Sequence, residues 1–396
     1  MKKLCLDGLY FELTLNALKI EVYKLFELSI PQNELEVLGN LKTADGCILL
    51  EKENKERKLN FLINKHLPDL KNRITGNSAT FITRKLGLPL IGNISFGIVD
   101  RGSTLLELKP NTSCNLNCIY CSVAEGLNSR MHDFVVDRDY LVEETSRVVD
   151  FKESNDIELH INCQGEPLLY DKLTELVQGL SCIKNVSVIS INTNGVLLTK
   201  GKIRELIEAG VTRFNISINT LNQTVADRMA GTHYPVKHVA EMVEYISKQG
   251  VELVIAPVML PGYNEHLIEE MIKFAKRLRA HIGIQNFLEY RRGRNPVKQL
   301  NWQRFYAFLS KLEEKHGIKL ILGPSYFNIR KCKALPIVFE KGEKLTANII
   351  CPGRYRNEVI VAARNRNITV ITNKQSGRVT SRIIRTKHNI YLASAF

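Results

Sequence analysis

Apolar runs and amphipathic segments alternate through the middle of this chain, and this alternation restricts the fold more than any other feature of the sequence. Short apolar runs are typical of buried strands. Six are predicted as strands: Leu105–Leu108, Ile157–Ile161, Val186–Ile191, Arg213–Ile218, Val251–Val258 and Ile282–Phe287. The segments between them carry apolar residues at helical spacing. Five are predicted as helices: Asp137–Phe151, Asp171–Leu180, Lys200–Ala209, Val236–Gln249 and Glu265–Arg279.

Regular alternation of strands and helices predicts an α/β fold with a parallel sheet, because a parallel strand pair needs a long crossover connection. Right-handed crossovers would wind the six strands into an open, partial (β/α)6 barrel. Ligands bind such folds at the carboxyl ends of the strands. We therefore expect the functional site at that edge of the sheet.

The length of 396 residues predicts more than one domain. Residues 103–330 contain the alternating pattern and would form the partial barrel. Residues 1–102 mix short strand and helix patterns, which predicts an α+β domain. Residues 336–396 carry short apolar runs separated by turns that contain Asn and Gly, which predicts a small antiparallel β-barrel.

Three closely spaced cysteines follow the first predicted strand of the partial barrel: Cys114, Cys118 and Cys121. Thiolates select zinc, copper or iron–sulfur clusters, and three of them leave one coordination position open. A structural zinc site needs a fourth ligand at a matching spacing, and the next candidates, His132 and Cys163, do not repeat the paired pattern. The spacing therefore favours a catalytic metal site over structural zinc, which stays the alternative.

This C-x3-C-x2-C run, with Tyr120 directly before its last cysteine, resembles the signature of the radical S-adenosylmethionine (SAM) superfamily. Four further segments resemble the later motifs of that superfamily in the expected order: Gln164–Leu169, Asn192–Leu198, Phe214–Asn219 and Ala256–Glu265. The resemblance extends over about residues 103–325. Within the superfamily, this chain is similar to archaeal iron–sulfur oxidoreductases. The motifs fall at the carboxyl ends of predicted strands, which supports the resemblance independently.

The resemblance implies that the three cysteines bind three irons of a [4Fe-4S] cluster and that SAM chelates the fourth iron. Cleavage of SAM would give a 5'-deoxyadenosyl radical that abstracts hydrogen from an unreactive carbon, chemistry that the cofactors supply. A reductant protein such as ferredoxin or flavodoxin is implied as a partner. Eight residues are predicted to contact the cofactors: Tyr120, Gly165, Glu166, Pro167, Asn194, Ser217, Asn219 and Pro257.

Some of these residues have specific expected roles. Gly165 would let the backbone approach the ligand closely, Glu166 would offset the SAM ammonium, and Pro167 would fix the exit from the strand. Ser217 and Asn219 are candidate ribose contacts. Ser and Asn at a strand end also commonly cap the next helix, so both interpretations stay open.

Positive charge is concentrated near the C-terminus. Between residues 353 and 396, nine basic residues stand against the single acidic Glu358, a net +8 of the formal +14. The basic residues are Arg354, Arg356, Arg364, Arg366, Lys374, Arg378, Arg382, Arg385 and Lys387. Basic faces of small barrels commonly bind nucleic acid. The segment resembles the TRAM-type modules of RNA-modifying enzymes, and a solvated surface without a partner is the alternative.

Three arginines after the sixth predicted strand, Arg291, Arg292 and Arg294, are expected to extend this RNA-binding surface. A first hypothesis is therefore a radical SAM enzyme that modifies RNA, either tRNA or rRNA. A second is a radical SAM enzyme acting on a peptide, lipid precursor or cofactor intermediate, since residues 165–167, 193–195 and 217–222 look similar to the molybdenum-cofactor and peptide-maturation branch. A third is a non-catalytic iron–sulfur protein that binds RNA.

The other cysteines predict a reducing, cytoplasmic setting without disulfides, because the sequence shows no signal peptide and no apolar run long enough to span a bilayer. No membrane partner is expected. Cys163 and Cys182 are interpreted as packing residues. A second cluster would need Cys332 and Cys351 together with Cys5 or Cys47.

Overall fold

Two small antiparallel sheets form the N-terminal part of this computed structural model, which describes residues 2–51 and 55–396. The elements of this part are β1 (Lys2–Leu4), β2 (Leu9–Leu13), β3 (Ala17–Val22), β4 (Phe26–Pro31), α1 (Gln32–Leu35), β5 (Leu41–Ala44), β6 (Cys47–Leu50), α2 (Lys55–His66), β7 (Lys71–Asn72) and β8 (Ala79–Ile82). One sheet has the order β1-β6-β5 and the other β2-β3-β4-β7. The mixture of strands and helices fits the α+β character predicted for this part.

Cys5 and Cys47 form a disulfide, so the prediction of a chain without disulfides is wrong. Strand β1 runs antiparallel to β6 with Leu4 opposite Ile48, and the next step along this register brings Cys5 to Cys47. The strand pairing therefore explains the bond. It also contradicts the alternative that either cysteine joins a second cluster.

The central part contains the predicted alternation of strands and helices. Its elements are β9 (Gly97–Asp100), β10 (Leu105–Lys109), β11 (Asp133–Val136), α3 (Arg138–Lys152), β12 (Ile157–Ile161), α4 (Leu173–Ser181), β13 (Val186–Thr193), α5 (Lys200–Ala209), β14 (Arg213–Ile216), α6 (Gln223–Ala230), α7 (Val236–Ile246), β15 (Glu252–Ile255), β16 (Val258–Met259), α8 (Ile268–Arg277), β17 (His281–Ile282), β18 (Gln285–Asn286) and α9 (Trp302–His316). Within the described residues, none of the helices is long and apolar enough to cross a bilayer.

Seven of these strands form one sheet, in the order β17-β15-β14-β13-β12-β10-β9. Strands β10, β12, β13, β14, β15 and β17 are parallel neighbours in chain order, which confirms the α/β prediction. Strand β9 was not predicted and pairs antiparallel with β10, so the sheet is mixed. Side chains alternate between the two faces of each strand. On β12, Leu159 and Ile161 are buried in the hydrophobic core, while His160 points to the opposite face.

The last two predicted strands of the sheet are each interrupted. The run Val251–Val258 becomes β15 and β16, because Pro257 has no N–H with which to continue the ladder. The run Ile282–Phe287 becomes β17 and β18, and β16 pairs with β18 in a separate two-stranded sheet. The chain therefore bends away from the main sheet at the edge where ligands are expected.

The C-terminal part is a closed five-stranded barrel. Its strands are β19 (Lys344–Pro352), β20 (Glu358–Ala363), β21 (Arg366–Ile371), β22 (Arg378–Arg385) and β23 (Leu392–Ala395). The order is β19-β20-β21-β23-β22. Strand β21 runs parallel to β23, so the prediction of a fully antiparallel barrel is wrong for this pair. Phe339, Val359 and Tyr391 belong to the barrel's own core, whereas Cys351 and Ile360 pack into the large core of the chain.

Three of the arginines assigned to an RNA-binding surface are engaged inside the molecule, and a fourth, Arg292, is paired but exposed. Arg354 and Arg366 are buried, and Arg366 donates to the Pro336 carbonyl. Arg292 pairs with the buried Glu358, and Arg294 binds the cysteine segment. The contacts of Arg354, Arg366 and Arg294 contradict the expectation that these three side chains face RNA, because charged groups buried in a fold are held by internal partners.

Candidate cofactor site

A cavity of about 320 Å³ lies at the carboxyl ends of β12, β13 and β14. Nine of the eleven predicted site residues line it: Cys114, Cys118, Tyr120, Cys121, Gly165, Glu166, Asn194, Ser217 and Asn219. Pro167 instead begins a short 3-10 helix, Pro167–Leu169, and the Pro257 carbonyl accepts from Gln285 N–H at 2.8 Å. The motifs that are distant in sequence therefore meet at the expected edge of the sheet.

The cysteine loop, defined here as residues 114–126, rests on the C-terminal end of α6. Asn117 N–H donates to the Ala230 carbonyl at 2.9 Å, and Ile119 N–H donates to the Met229 carbonyl at 3.0 Å. Helix α6 ends at Gly231, whose φ of +64° favours glycine. A Cβ at this residue would lie 2.3 Å from the Asn117 carbonyl oxygen, so glycine allows the loop to approach the helix.

Arg294 holds the other side of the cysteine loop. Its guanidinium donates to the carbonyls of Cys118, Ala124 and Glu125 at 2.8–3.0 Å. It also donates to Asn117 Oδ1 at 2.8 Å. One side chain thus satisfies four acceptors of an irregular segment, which restricts the positions that its cysteines can adopt.

The three thiols of the loop are placed where negative charge is unfavourable without a metal. Burial is the main cause that raises the pKa of Cys118, to about 12, and the neighbouring Cys121 adds to it. The pKa values of Cys114 and Cys121 are raised as well, again mainly by burial. The iron of a cluster would supply the positive charge that stabilises the thiolates. The donor set therefore fits an iron–sulfur cluster.

The alternative of a single metal ion fits less well. Across residues 2–51 and 55–396, no group of three or more His, Cys, Asp or Glu side chains is arranged to hold one ion. In a cluster, each thiolate binds a different iron, so the sulfurs need not converge on one point. His132 is also committed elsewhere, because its ring nitrogens contact Ser78 and Thr80 at 2.8 and 2.7 Å.

Gly165 packs against the backbone that precedes the cysteine loop. A Cβ at this residue would lie 1.9 Å from the Ser113 carbonyl oxygen. That carbonyl accepts from Glu166 N–H at 2.7 Å. The close approach that requires glycine is therefore to the residue before Cys114, in addition to any contact with a ligand.

Glu166 joins two strand ends at the floor of the cavity. Its carboxylate accepts from the Leu168 and Asn194 N–H groups at 3.0 and 2.8 Å, and from Thr193 Oγ1 at 2.6 Å. Burial raises the pKa of this carboxyl to about 7, against the opposing effect of these donors. A nearby ammonium would favour the charged form, so the site suits a cationic amino group.

Tyr120 and Asn219 form a polar contact above this floor. Asn219 Nδ2 donates to Tyr120 Oη at 2.6 Å, while its Oδ1 accepts from Val258 N–H at 2.8 Å. Ser217 Oγ lies 3.5 Å from Asn192 Oδ1. Because the amide of Asn219 has partners at both ends, its assignment as a ribose contact stays a prediction.

Several polar residues of the cavity were not among the predicted site residues. Asn192 belongs to a recognised motif but was given no role, and it lines the cavity from β13. Tyr234 donates from its hydroxyl to the Asn194 carbonyl at 2.8 Å, and Asn286 lines the cavity from β18. The alternation along β13 could have identified Asn192, whereas Tyr234 lies in a connection without a periodic pattern.

A second cavity of about 550 Å³ adjoins the first on the polar face of the sheet. Asn192, Gln285, Asn286 and Leu288 line both cavities. Asn286 is 6 % exposed, and its Oδ1 has no hydrogen-bond partner among the residues that the structure describes. A buried acceptor without a partner is costly, so a ligand N–H or O–H at the junction of the cavities would stabilise it.

The sequence model of the Radical SAM superfamily matches residues 108–275. An uncharacterized protein of Methanocaldococcus jannaschii is 35 % identical, over 96 % of this chain and 95 % of that protein. The GTP 3',8-cyclase of Listeria welshimeri is 34 % identical, over 47 % of this chain and 53 % of that protein. The chain therefore spans about half the length of that cyclase.

Among solved structures, the chain is similar to Streptococcus suis SuiB bound to S-adenosylmethionine. The TM-score is 0.42 with 14 % sequence identity, over 80 % of this chain and 71 % of that chain. At this level of similarity, nothing about the chemistry of this chain follows from the comparison.

Proposed function

We propose that this chain, which belongs to the radical SAM superfamily, is an enzyme that abstracts hydrogen from a nucleotide of RNA. Enzymes of this family use a [4Fe-4S] cluster and SAM. The proposal depends above all on one observation, namely that the cavity lined by the three cysteines continues into a second cavity, with which it shares four lining residues. A substrate group in the second cavity would lie beside the cofactors.

The residues that would hold the cofactors are those of the first cavity. Cys114, Cys118 and Cys121 would hold the cluster, and Glu166 would accept from the amino group of SAM. When bound, the cluster and SAM supply a one-electron cleavage that yields a radical able to abstract hydrogen. The chain's own contribution is to fix the cysteine loop, to present hydrogen-bonding groups from the strand ends and to exclude water.

The second cavity suits an uncharged substrate group, because the charged side chains that line it are paired with one another. Arg213 contacts Glu158 at 2.7 Å and Glu252 at 2.5 Å. Burial lowers the pKa of His160, which keeps its ring neutral at pH 7, and Ser190 contacts that ring at 2.8 Å. A phosphate would find no unpaired cation among these groups, whereas a neutral base would not need one.

Amides and aromatic rings complete this cavity. Asn192 and Asn215 line it from β13 and β14, Asn162 lines it directly after β12, and Trp302 and Tyr306 line it from α9. The two rings stack with centroids 5.5 Å apart and remain nearly half exposed. Side-chain amides and aromatic faces are the groups with which proteins bind unstacked RNA bases. We propose that one base enters this cavity.

The exposed face of β19 and β22 is evidence that the substrate is a polynucleotide. Across this strand pair, Lys344 lies opposite Arg382 and Asn348 lies opposite Arg378, and all four are exposed. Phe396 is 71 % exposed, and the cationic groups of Lys344 and Arg382 each lie 5.7 Å from its ring centroid. Cations interleaved with an aromatic ring on a small barrel suit single-stranded nucleic acid. The TRAM-type assignment of residues 336–396 rests on this face.

Other finer assignments belong to the same proposal. The six parallel strands in chain order support a partial (β/α)6 barrel within residues 103–330. Residues 1–102 form the proposed N-terminal domain. We propose a reductant protein such as ferredoxin or flavodoxin as the electron donor, because reductive cleavage of SAM needs one external electron.

The second candidate substrate is a small cofactor intermediate. It is favoured by the 34 % identity to a GTP 3',8-cyclase, although the match covers only 47 % of this chain. A small molecule would occupy the second cavity without contacting the basic face of the barrel. The two candidates therefore differ in whether RNA is modified.

The proposal is tested by mass spectrometry of all nucleosides from tRNA and rRNA. Cells that lack the gene should lose one modified nucleoside, and its mass difference would identify the reaction. The parent gene should restore that nucleoside, whereas Cys118→Ala should not. Unchanged nucleosides in the deleted strain would contradict the RNA substrate and favour the small-molecule candidate.

A further inference from the structure

Arg354 connects the C-terminal barrel to the cofactor site. It lies in the connection from β19 to β20, and only 4 % of it is exposed. Its guanidinium forms an ion pair with Glu125, contacts Asp133 Oδ1 at 2.9 Å and donates to the His132 carbonyl at 2.6 Å. A barrel residue thus places a buried positive charge among residues of the central part.

Glu125 carries this contact to the cysteine loop. Its own N–H lies 3.3 Å from Cys121 Sγ, and its carbonyl accepts from Arg294 at 2.9 Å. Its carboxylate also accepts from Gly126 N–H at 2.9 Å. Glu125 is therefore fixed by its side chain and its backbone at once, and Arg354 is separated from a predicted cluster ligand by this one residue.

A second set of contacts leads from Arg354 toward Cys114. Asp133, the other carboxylate that Arg354 contacts, accepts from Asn72 Nδ2 at 2.7 Å. The same Nδ2 lies 2.8 Å from Ser113 Oγ, directly before Cys114 in the chain. The barrel arginine thus reaches both ends of the cysteine motif through buried polar groups. Networks of this kind rigidify a site when their members are satisfied.

The segment that holds Arg294 is tied to the same barrel connection. Arg292 contacts Glu358 at 2.7 Å, and its guanidinium lies 4.0 Å from the ring centroid of Tyr355. Two residues further on, Arg294 binds the carbonyls of the cysteine loop. Each of three segments therefore contacts the other two: the connection from β19 to β20, the segment that contains Arg292 and Arg294, and the cysteine loop.

We infer that Arg354 is a positioning residue, by which the C-terminal barrel fixes the cysteine loop in the conformation that receives the cluster. The inference rests on the cluster assignment of the proposed function and not on RNA as the substrate. It gives the barrel a second role that an RNA-binding module alone would not have. Removing one partner of a buried ion pair destabilises a protein much more than removing one partner of a surface pair, because a buried charge is left unpaired. A single substitution is therefore an informative test.

The test measures hydrogen–deuterium exchange of the amides of the cysteine loop in the full-length chain, with and without reconstitution by iron and sulfide. Arg354→Met should raise the exchange rates of the loop by about tenfold or more, because an uncompensated carboxylate remains. Arg366→Met is the matched control, since Arg366 is equally buried in the barrel and contacts Asn389 and Pro336 instead of the loop. It should leave loop exchange unchanged.

Two results would overturn the inference: unchanged loop exchange in Arg354→Met, or an equal increase in Arg366→Met. If Arg354→Met does not fold, Glu125→Gln provides the same test from the loop side, and unchanged loop exchange in that variant would also overturn it.

A second measurement separates positioning from general stability. In reconstituted protein, Arg354→Met should lower the reduction potential of the cluster, because a nearby positive charge is lost, and Arg354→Lys should restore it. Equal potentials in the parent and Arg354→Met would overturn the inference. A parent chain that assembles no cluster would instead contradict the proposed function, and loop exchange would still decide the role of Arg354.

Discussion

Glu166 is a residue of the candidate cofactor cavity at which burial and hydrogen bonding have opposite effects on the pKa. Burial raises the pKa of its carboxyl from 4.5 to about 7, although three donors favour the charged form. The folded protein without SAM therefore binds a proton at this group more tightly than the unfolded chain does. The resulting stability is fully present below pH 4.5 and is lost as the pH rises through 7.

Glu166→Gln should remove this pH dependence. Relative to the variant, the parent should lose about 3 kcal/mol of its free energy of unfolding as the pH rises from 4.5 to 8. Urea denaturation of the protein without cofactors at several pH values measures this difference. A constant difference would mean that Glu166 keeps its ordinary pKa.

Gly165→Ala tests the contact between the second motif and the cysteine segment. The new Cβ would meet the Ser113 carbonyl oxygen at 1.9 Å, and a backbone atom cannot move aside as a flexible side chain can. We expect a loss of about 1–3 kcal/mol or more in the free energy of unfolding, together with weaker cluster assembly. Denaturant unfolding and iron content are the measurements.

Gly323→Ala is the matched control for this substitution. Within the described part of the chain, no atom lies within 4 Å of a Cβ at residue 323, so the change should stay within about 0.5 kcal/mol. Similar losses for the two alanine variants would contradict the role given to Gly165.

At the scale of elements, substitutions in the strand pair β19–β22 distinguish an RNA-binding face from a solvated surface without a partner. Arg378→Gln and Arg382→Gln should each weaken RNA binding, and each should reduce the slope of log K against log salt by about 1. Electrophoretic or fluorescence titrations at several salt concentrations provide the affinities. Arg204→Gln on α5 is an exposed control and should leave the affinity unchanged. Equal effects of all three variants would contradict a binding face on β19 and β22.

The elements also show what periodicity can and cannot predict. Apolar runs predicted all six parallel strands, because the buried side chains of a strand are apolar and lie close together in the sequence. Strand β9 was missed because only two of its four residues, Ile98 and Val99, have apolar side chains. The division of the fifth strand at Pro257 was predictable in principle, since proline cannot donate to a ladder.

At the scale of the whole molecule, the three parts of the chain meet beside the cysteine loop, where Asn72 and Arg354 both contact Asp133. The cysteine motif was recognisable in sequence because its three cysteines are close together in the chain. The pairing of Arg354 with Glu125 was not, because 229 residues separate the two and no local pattern relates them. Net charge alone predicted that Arg354 binds RNA, whereas the structure buries it beside Glu125 of the cysteine loop.

Deletion of residues 336–396 should therefore impair more than RNA binding. It removes Arg354 together with Cys351 and Ile360, which pack in the large core. We expect the truncated chain to lose most of its iron after anaerobic reconstitution and to unfold at lower denaturant. The double variant Arg378→Gln/Arg382→Gln keeps the barrel and should retain full iron content. Parent levels of iron in the truncated chain would contradict this dependence.

The most direct test of the account is the reductive cleavage of SAM by the anaerobically reconstituted protein. The parent should form 5'-deoxyadenosine with a chemical reductant, and Cys118→Ala should form none while keeping its fold. Cys182→Ala is the control, because this exposed thiol lies outside the cavity and should leave cleavage unchanged. Equal cleavage by Cys118→Ala and the parent would contradict the assignment of the cavity as the cofactor site.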